Sequence, residues 1–310
     1  HYKYMEVNCI TNRASKLFKN TCVKFNDLLS KDKNDKKVLK FIIIYWDSYG
    51  NNYLNLFSNK HIVENIHIQH HNYLSDKRKC SNLIKELKLY KYYPKTYDNL
   101  SEINIIPIDK LFFIKEIYST GGKGVKCLSG KDLLNYKINK NEIIQEGLQN
   151  LKLIDNKKFV IRAYIIIFNN NFYLSKHMFV IVHGKDYDSK SSAYDVQIKH
   201  EGYINKASAI KMYPLHETEY SSYIYKIRDA LKNMKELFKP IINNSNNQFI
   251  IIGPDILITN KDEIKFIEFN TLPNLQHTKY INENVNEKML FDLFNLVFLN
   301  YESDTLLLIK

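Results

Sequence analysis

The chain has 310 residues, 45% apolar and 25% charged, with 23 Tyr, 17 Phe, 9 Gly and 6 Pro. That length and apolar share support a substantial core in two or three lobes and exclude a disordered, fibrous or loop-dominated protein. The formal charge of +12 attracts acidic partners without choosing among nucleic acid, an anionic membrane, a polyphosphate and an acidic protein tail. Lys is spread through the whole sequence with no dense basic block, so a general compositional bias explains the charge as well as a dedicated binding face does.

The predicted elements alternate in an α/β manner. An apolar run over 38–46 reads as a buried strand, followed by a turn at Gly50, Asn51 and Asn52. A helix is predicted over 76–89, with Leu83, Ile84 and Leu87 on one face and Asp76 near its start. Residues 103–107 read as a short strand or connection. Strands over 111–115 and 125–128 flank a loop at 119–124, and a further strand covers 143–145. The run 159–167 reads as one strand and, after an Asn169–Asn171 turn, 172–182 as another. A helical stripe over 221–239 stops at Pro240. A hairpin of 249–259 and 263–269 and a helix over 287–301 complete the chain. Residues 184–192 and 242–247 are polar and read as loops.

Four cysteines, Cys9, Cys22, Cys80 and Cys127, form no CxxC pair, the pattern of reduced thiols inside a cell. The longest apolar runs are far too short to span a bilayer, and the first residues carry no secretory pattern. His61, His67, His70 and His71 crowd together, but their spacing fits no zinc site and no Cys joins them.

Three constellations carry chemistry. Lys115 precedes Ser119-Thr120-Gly121-Gly122-Lys123-Gly124, a small Lys-bearing loop that can lay N–H groups and ammonium charge on phosphate oxygens. It satisfies neither GxxxxGK[ST] nor GxGxxG, and an ordinary Gly-Gly hairpin turn explains it equally well. Asp255, Glu268 and Asn270 form the second. Residues 268 and 270 share one strand face, and a turn at 259–262 places Asp255 near Phe266, diagonal to Glu268. Three oxygen donors inside so apolar a hairpin suit Mg²⁺, because unpaired buried acids are costly. In the third, Gln145-Glu146-Gly147-Leu148 offers strand-end backbone to a flat purine. Lys158 and Arg162, four apart on a strand, face one side; without context this is also what a basic surface strand looks like.

The order of these pieces resembles the tubulin tyrosine ligase-like branch of the ATP-grasp superfamily. The likeness rests on Ile114-Lys115 with Gly121-Gly122-Lys123-Gly124, Gln145 with Leu151-Lys152-Leu153, and Lys158-Phe159-Val160-Ile161-Arg162. It ends in Gly253-Pro254-Asp255 with Glu268-Phe269-Asn270-Thr271-Leu272-Pro273. Upstream, His71-Asn72-Tyr73 and Asp76-Lys77-Arg78-Lys79 are similar to the family's entry into its central lobe, and the likeness spans about 65–300. It implies an ATP-grasp fold with ATP between two mainly antiparallel sheets. The lobes would be an N-terminal α/β lobe (1–75), a central lobe (76–146) and a C-terminal lobe with the metal site (147–310). It implies Mg²⁺ on Asp255, Glu268 and Asn270, and phosphate contacts from Lys115, Lys123 and Lys158, with Lys79 added. Gln145 and Leu148 would line adenine, Asp255 would also serve the nucleotide, and Arg162 and Glu268 would be catalytic. The implied reaction adds Tyr or Glu to the acidic tail of tubulin or another protein through an acyl-phosphate. Neither nucleic acid nor a membrane span is expected. The location implied is cytoplasmic, and cytoskeletal if the acceptor is tubulin.

The chain also departs from the family pattern. Val160 stands where an Asp is usual, and Ile181 where the next strand usually carries an Arg. Tyr194-Asp195-Val196-Gln197 replaces a His-x-Thr-Asn segment, and Glu146-Gly147 a basic residue and an aromatic. Positive charge placed beforehand stabilises a phosphoryl transition state. These departures therefore support an alternative, a catalytically degenerate ATP-grasp module with a binding or structural role in an assembly.

Overall fold

The computed structural model describes residues 5–11, 16–30, 39–45, 61–119, 122–199 and 209–310; the expected turn at 50–52 lies outside them. Strand β1 (Met5–Thr11), helix α1 (Lys16–Leu29) and strand β2 (Leu39–Tyr45) make a parallel unit in which Met5 faces Leu39. Strand β3 (Ile62–Asn65) extends it in parallel. Contrary to the four reduced thiols expected, Cys9 and Cys22 are disulfide-bonded. Packing of α1 on β1 brings their Cα atoms to 6.4 Å, a proximity that spacing along the chain does not announce. Cys80 and Cys127 are buried and unbonded.

Helix α2 (Asn72–Ser75) leads into α3 (Lys77–Glu86). Asp76 caps α3, its carboxylate accepting from the amides of Arg78 at 3.1 Å and Lys79 at 3.0 Å. A small antiparallel sheet follows, made of β4 (Thr96–Tyr97), β5 (Leu111–Glu116), β6 (Val125–Ser129) and, after the turn α4 (Gly130–Leu133), β7 (Glu142–Glu146). Its spatial order is β4-β7-β5-β6. The run 103–107 is a connection, not a strand.

Among the described residues, the rest joins β1–β3 in one twelve-stranded sheet. Its members are β8 (Leu153–Ile154), β9 (Lys157–Arg162), β10 (Ile165–Phe168), β11 (Asn171–Ser175) and β12 (Phe179–Asp186). After the turn α5 (Tyr194–Gln197) comes β13 (Lys211–Pro214), and after α6 (Tyr223–Asn233) and α7 (Lys235–Ile242) the hairpin β14 (Gln248–Ile258) and β15 (Ile264–Asn270). The turn α8 (Lys279–Ile281), helix α9 (Glu287–Leu299) and strand β16 (Leu306–Leu308) close the chain. No helix of the described residues is long and apolar enough to cross a membrane.

Three predicted elements split. The 159–167 run becomes β9 and β10, which lie along β14 in one register, Arg162 opposite Asp255 and Ile165 opposite Ile252. Between them stands Pro254, which has no N–H to give the ladder; Ala163 N–H donates to its carbonyl at 3.2 Å. The 172–182 run becomes β11 and β12, which part because β11 pairs with β10 and β16 while β12 pairs with β9 and β13. The 221–239 stripe becomes α6 and α7, parted at Met234, and Pro240 lies inside α7 instead of ending the helix. The bond lost there is offset by burial of Leu237, Phe238, Ile241 and Ile242.

The long strand β14 passes between two environments. Its residues Phe249, Ile250, Ile251 and Ile252 are fully buried on both faces. Ile250 and Ile252 pack with α6 and α7, and Phe249 and Ile251 with Phe18 of α1 and Phe294 of α9. Beyond Pro254 only one face keeps its helix cover, through Ile256 and Ile258. The other face turns toward the small sheet.

Candidate functional site

Alternation along the strands builds a cleft between the two sheets. On β5, Phe112 and Ile114 enter the small lobe's own core, so Phe113 and Lys115 face the opposite way. On the large sheet, Lys158 and Val160 of β9, His183 of β12, Asp255 and Leu257 of β14, and Glu268 of β15 face them across the cleft. The space between, mouth included, is about 760 Å³. Its walls are apolar at Phe113, Val125, Leu148, Val160, Leu257 and Ile267 and strongly charged elsewhere. Gly147 lets the hinge strand pass: a Cβ there would stand 2.5 Å from Leu111 O.

Three ammonium groups are buried in this cleft. Lys115 Nζ donates to Ile267 O at 3.4 Å, joining small sheet to large. Burial pulls its pKa down to about 8, Lys77 adding to the effect and Glu268 and Asp255 opposing it. Lys158 Nζ donates to Gln197 O at 2.7 Å and lies over the Phe113 ring. Burial likewise lowers its pKa to about 8. A third cation, Lys77, donates to Ser119 O at 2.5 Å and comes within 3.9 Å of Glu268 Oε1. The rim carries the exposed Lys123.

The acids meet these cations in a cross-strand row. Asp255 stands directly opposite Glu268 on one side and Arg162 on the other. The diagonal register expected from the turn is corrected by a bulge between Asp255 and Ile256. The extra residue, Ile267, turns its carbonyl to Lys115 and Tyr93. Arg162 grips Asp255 with two bonds, Nε to Oδ1 at 2.7 Å and an η-nitrogen to Oδ2 at 3.2 Å. Burial works against the Arg162 charge, but Asp255 overcomes this and lifts the guanidinium pKa above its usual range. Asn270 faces Gly253 and donates its amide to Gly253 O at 3.1 Å. Gly253 is required: a Cβ there would meet Pro273 at 2.6 Å.

Of the residues singled out in the sequence, Lys115, Lys123, Gln145, Leu148, Lys158, Asp255 and Glu268 line one cleft. Arg162 joins it through Asp255, and Asn270 sits two residues further along β15. Lys79 does not join them: it is exposed on α3, and Lys77 takes its place. Residues two apart on a helix point about 200° away from each other. The stripe Lys77, Cys80, Ser81 and Ile84 is the buried face, and its i, i+3, i+4, i+7 spacing was available in the sequence. The departures also sit here. Val160 lines the cleft, and Ile181 stands beside it on β12, two strands from Asp255 and packed in the core of the large sheet. His183 is buried in the cleft wall, its Nδ1 3.1 Å from Val196 O.

The donors available for a cation are few. Among the described residues no group of three or more His, Cys, Asp or Glu side chains is arranged to hold a metal ion. Asp255 and Glu268 supply two carboxylates and Asn270 an amide, hard oxygen donors suited to Mg²⁺ when phosphates and water complete the shell.

Fold and cleft thus define a mixed α/β protein with clustered lysines and paired acids between two sheets. Residues 174–305 match the profile of the Tubulin-tyrosine ligase family, in agreement with the resemblance drawn from the motifs and consistent with a tubulin tyrosine ligase-like family member. The family's domain is of the ATP-dependent ligase type. The match takes in Asp255, Glu268 and Asn270 and begins after Lys115, Lys158 and Arg162. No curated protein sequence matches the chain.

Proposed function

We propose that this chain binds Mg·ATP in the cleft and is an ATP-dependent carboxylate–amine ligase acting on an acidic protein tail. The observation that carries this is the meeting of Lys77, Lys115 and Lys158 with the opposed Asp255 and Glu268 beside an apolar slot. The slot around Leu148, Val160 and Leu257 suits a flat purine, with Gln145 at its end. Lys115, Lys158 and Lys77 suit the phosphates, and Lys123 closes over them from the rim. Lys79 has no part in this reading. Asp255, Glu268 and Asn270 would hold Mg²⁺, which when bound neutralises phosphate charge.

In this reading a tail carboxylate oxygen attacks the γ-phosphorus and ADP leaves, giving an acyl-phosphate. The amine of Tyr or Glu then attacks the acyl carbon; phosphate departs and the nitrogen loses a proton. Arg162, once turned from Asp255, would meet the γ-phosphoryl oxygens, where fixed positive charge counts most. A chain of formal charge +12 attracts an acidic tail such as that of tubulin. A cytoplasmic, microtubule-associated location follows from that acceptor.

One observation favours a second reading, a catalytically degenerate module. Val160 and Ile181 sit side by side on β9 and β12, one and two strands from Asp255, an apolar patch where charge would serve phosphoryl transfer. Calorimetry with Mg·ATP on the wild type and Glu268→Gln tests the shared premise. Binding that needs Mg²⁺ and collapses in the variant supports the nucleotide site. No uptake at millimolar ATP would refute both the ligase and the nucleotide-binding module. Release of ADP dependent on an acidic peptide and an amino acid then separates the two readings.

A further inference from the structure

The segment between β12 and β13 leaves the large sheet and attaches itself to the small one. Ile198 is buried with Leu111 and Cys127, and Phe113 and Val125 pack on the same cluster; all four belong to β5 and β6. Tyr194 donates its hydroxyl to Gly122 O in the glycine loop at 3.4 Å. The segment is braced internally by Gln197, whose amide nitrogen donates to Asp188 O at 2.8 Å and Ser191 O at 2.9 Å. Its root is tied to β12, where His183 Nδ1 meets Val196 O at 3.1 Å. At its tip the Gln197 carbonyl accepts from Lys158 Nζ at 2.7 Å, and Gln197 and Ile198 both line the cleft.

We propose that residues 187–199 are an autoinhibitory latch, in which Ile198 bolts the two sheets together and the Gln197 carbonyl occupies Lys158 until a nucleotide polyphosphate displaces it. This rests on the nucleotide reading of the cleft. A neutral carbonyl on a buried ammonium is a partner that a polyphosphate outcompetes, because the charged bond is stronger. Exchange at Lys158 withdraws the Gln197 carbonyl and with it the turn that carries Ile198. Nucleotide affinity is then reduced by the fraction of molecules with the latch shut. Loosening the latch raises affinity, although it removes contacts from the wall of the site.

The test measures Mg²⁺–adenylyl imidodiphosphate binding and amide hydrogen exchange in the full chain, its Ile198→Ser variant and its Tyr194→Phe variant. Tyr194→Phe removes only a surface hydroxyl, so it remains informative if Ile198→Ser fails to fold. The latch predicts faster exchange over 193–199 when nucleotide is added to the wild type. It also predicts about tenfold tighter binding in Ile198→Ser and about twofold in Tyr194→Phe, as the shut fraction falls. Slower exchange on adding nucleotide, or weaker binding in the variants, overturns it and makes the segment part of the closed binding site. No uptake by the folded wild type or either variant overturns it differently, by removing the nucleotide reading beneath it.

Discussion

The two halves of β14 obey different rules. From Phe249 to Ile252 every side chain is buried, because helices cover both faces: α6 and α7 on one, α1 and α9 on the other. Beyond Pro254 one face keeps its helices while the other carries Asp255 toward the small sheet. A strand covered twice reads as an unbroken apolar run, and one covered once alternates. The first half stabilises the molecule. The second spends stability on charge, holding Lys115, Lys158, Arg162 and Asp255 out of water.

The sharpest way to break this contrast is Asp255→Ala. It leaves the buried Arg162 without its bidentate partner and should lower unfolding free energy by about 3–5 kcal/mol in urea titration. A loss under 1 kcal/mol would show that Arg162 finds water or another acceptor. Ile251→Ala, in the doubly covered half, should cost about 2–5 kcal/mol by cavity formation and leave nucleotide affinity unchanged. Lys115→Met should do the reverse, gaining about 1–3 kcal/mol by removing a buried charge while weakening nucleotide binding. If it destabilises, the Lys115 contact with Ile267 O outweighs its desolvation.

Acidity sharpens the comparison further. Lys115 and Lys158 have pKa values near 8 in the folded chain against 10.5 as the reference. The unfolded chain therefore holds more protons between those values, and stability should rise with pH from about 8 to 10.5. Below 8 both states are protonated and the burial penalty is present in full. Nucleotide affinity should move the opposite way, falling from pH 7 to 9 by about tenfold for each ammonium group the phosphates need, about a hundredfold if they need both. Calorimetry in buffers of different ionisation heat would register proton uptake on binding near pH 8.5; no uptake would place the phosphates away from both lysines. The smallest effect is expected at Lys79→Ala, which should change stability by no more than about 0.5 kcal/mol as an exposed position and leave binding unaltered. Lys77→Ala should weaken binding clearly.

Much of the site could be read from the chain because it depends on local alternation. Asp255, Glu268, Lys158 and Lys115 were placed by strand period and by the order of their motifs, and α3 was placed by Asp76. What stayed hidden depends on partners remote in sequence. The Pro254 break splits β9 from β10 only because those strands lie on β14. The bulge at Ile267 shifts Glu268 into line with Asp255, which turn length alone could not announce. The Cys9–Cys22 bond needs α1 folded back on β1.

Sequence by itself determined which residues alternate, where charge interrupts apolar runs, and hence that an acid-and-lysine face exists. These are properties of neighbours along the chain, set by backbone period and side-chain hydration. Only the tertiary structure decided that Arg162 clasps Asp255 and that Ile198 crosses from one sheet to the other. Those outcomes depend on which surfaces are desolvated together, and burial is a property of the packed whole.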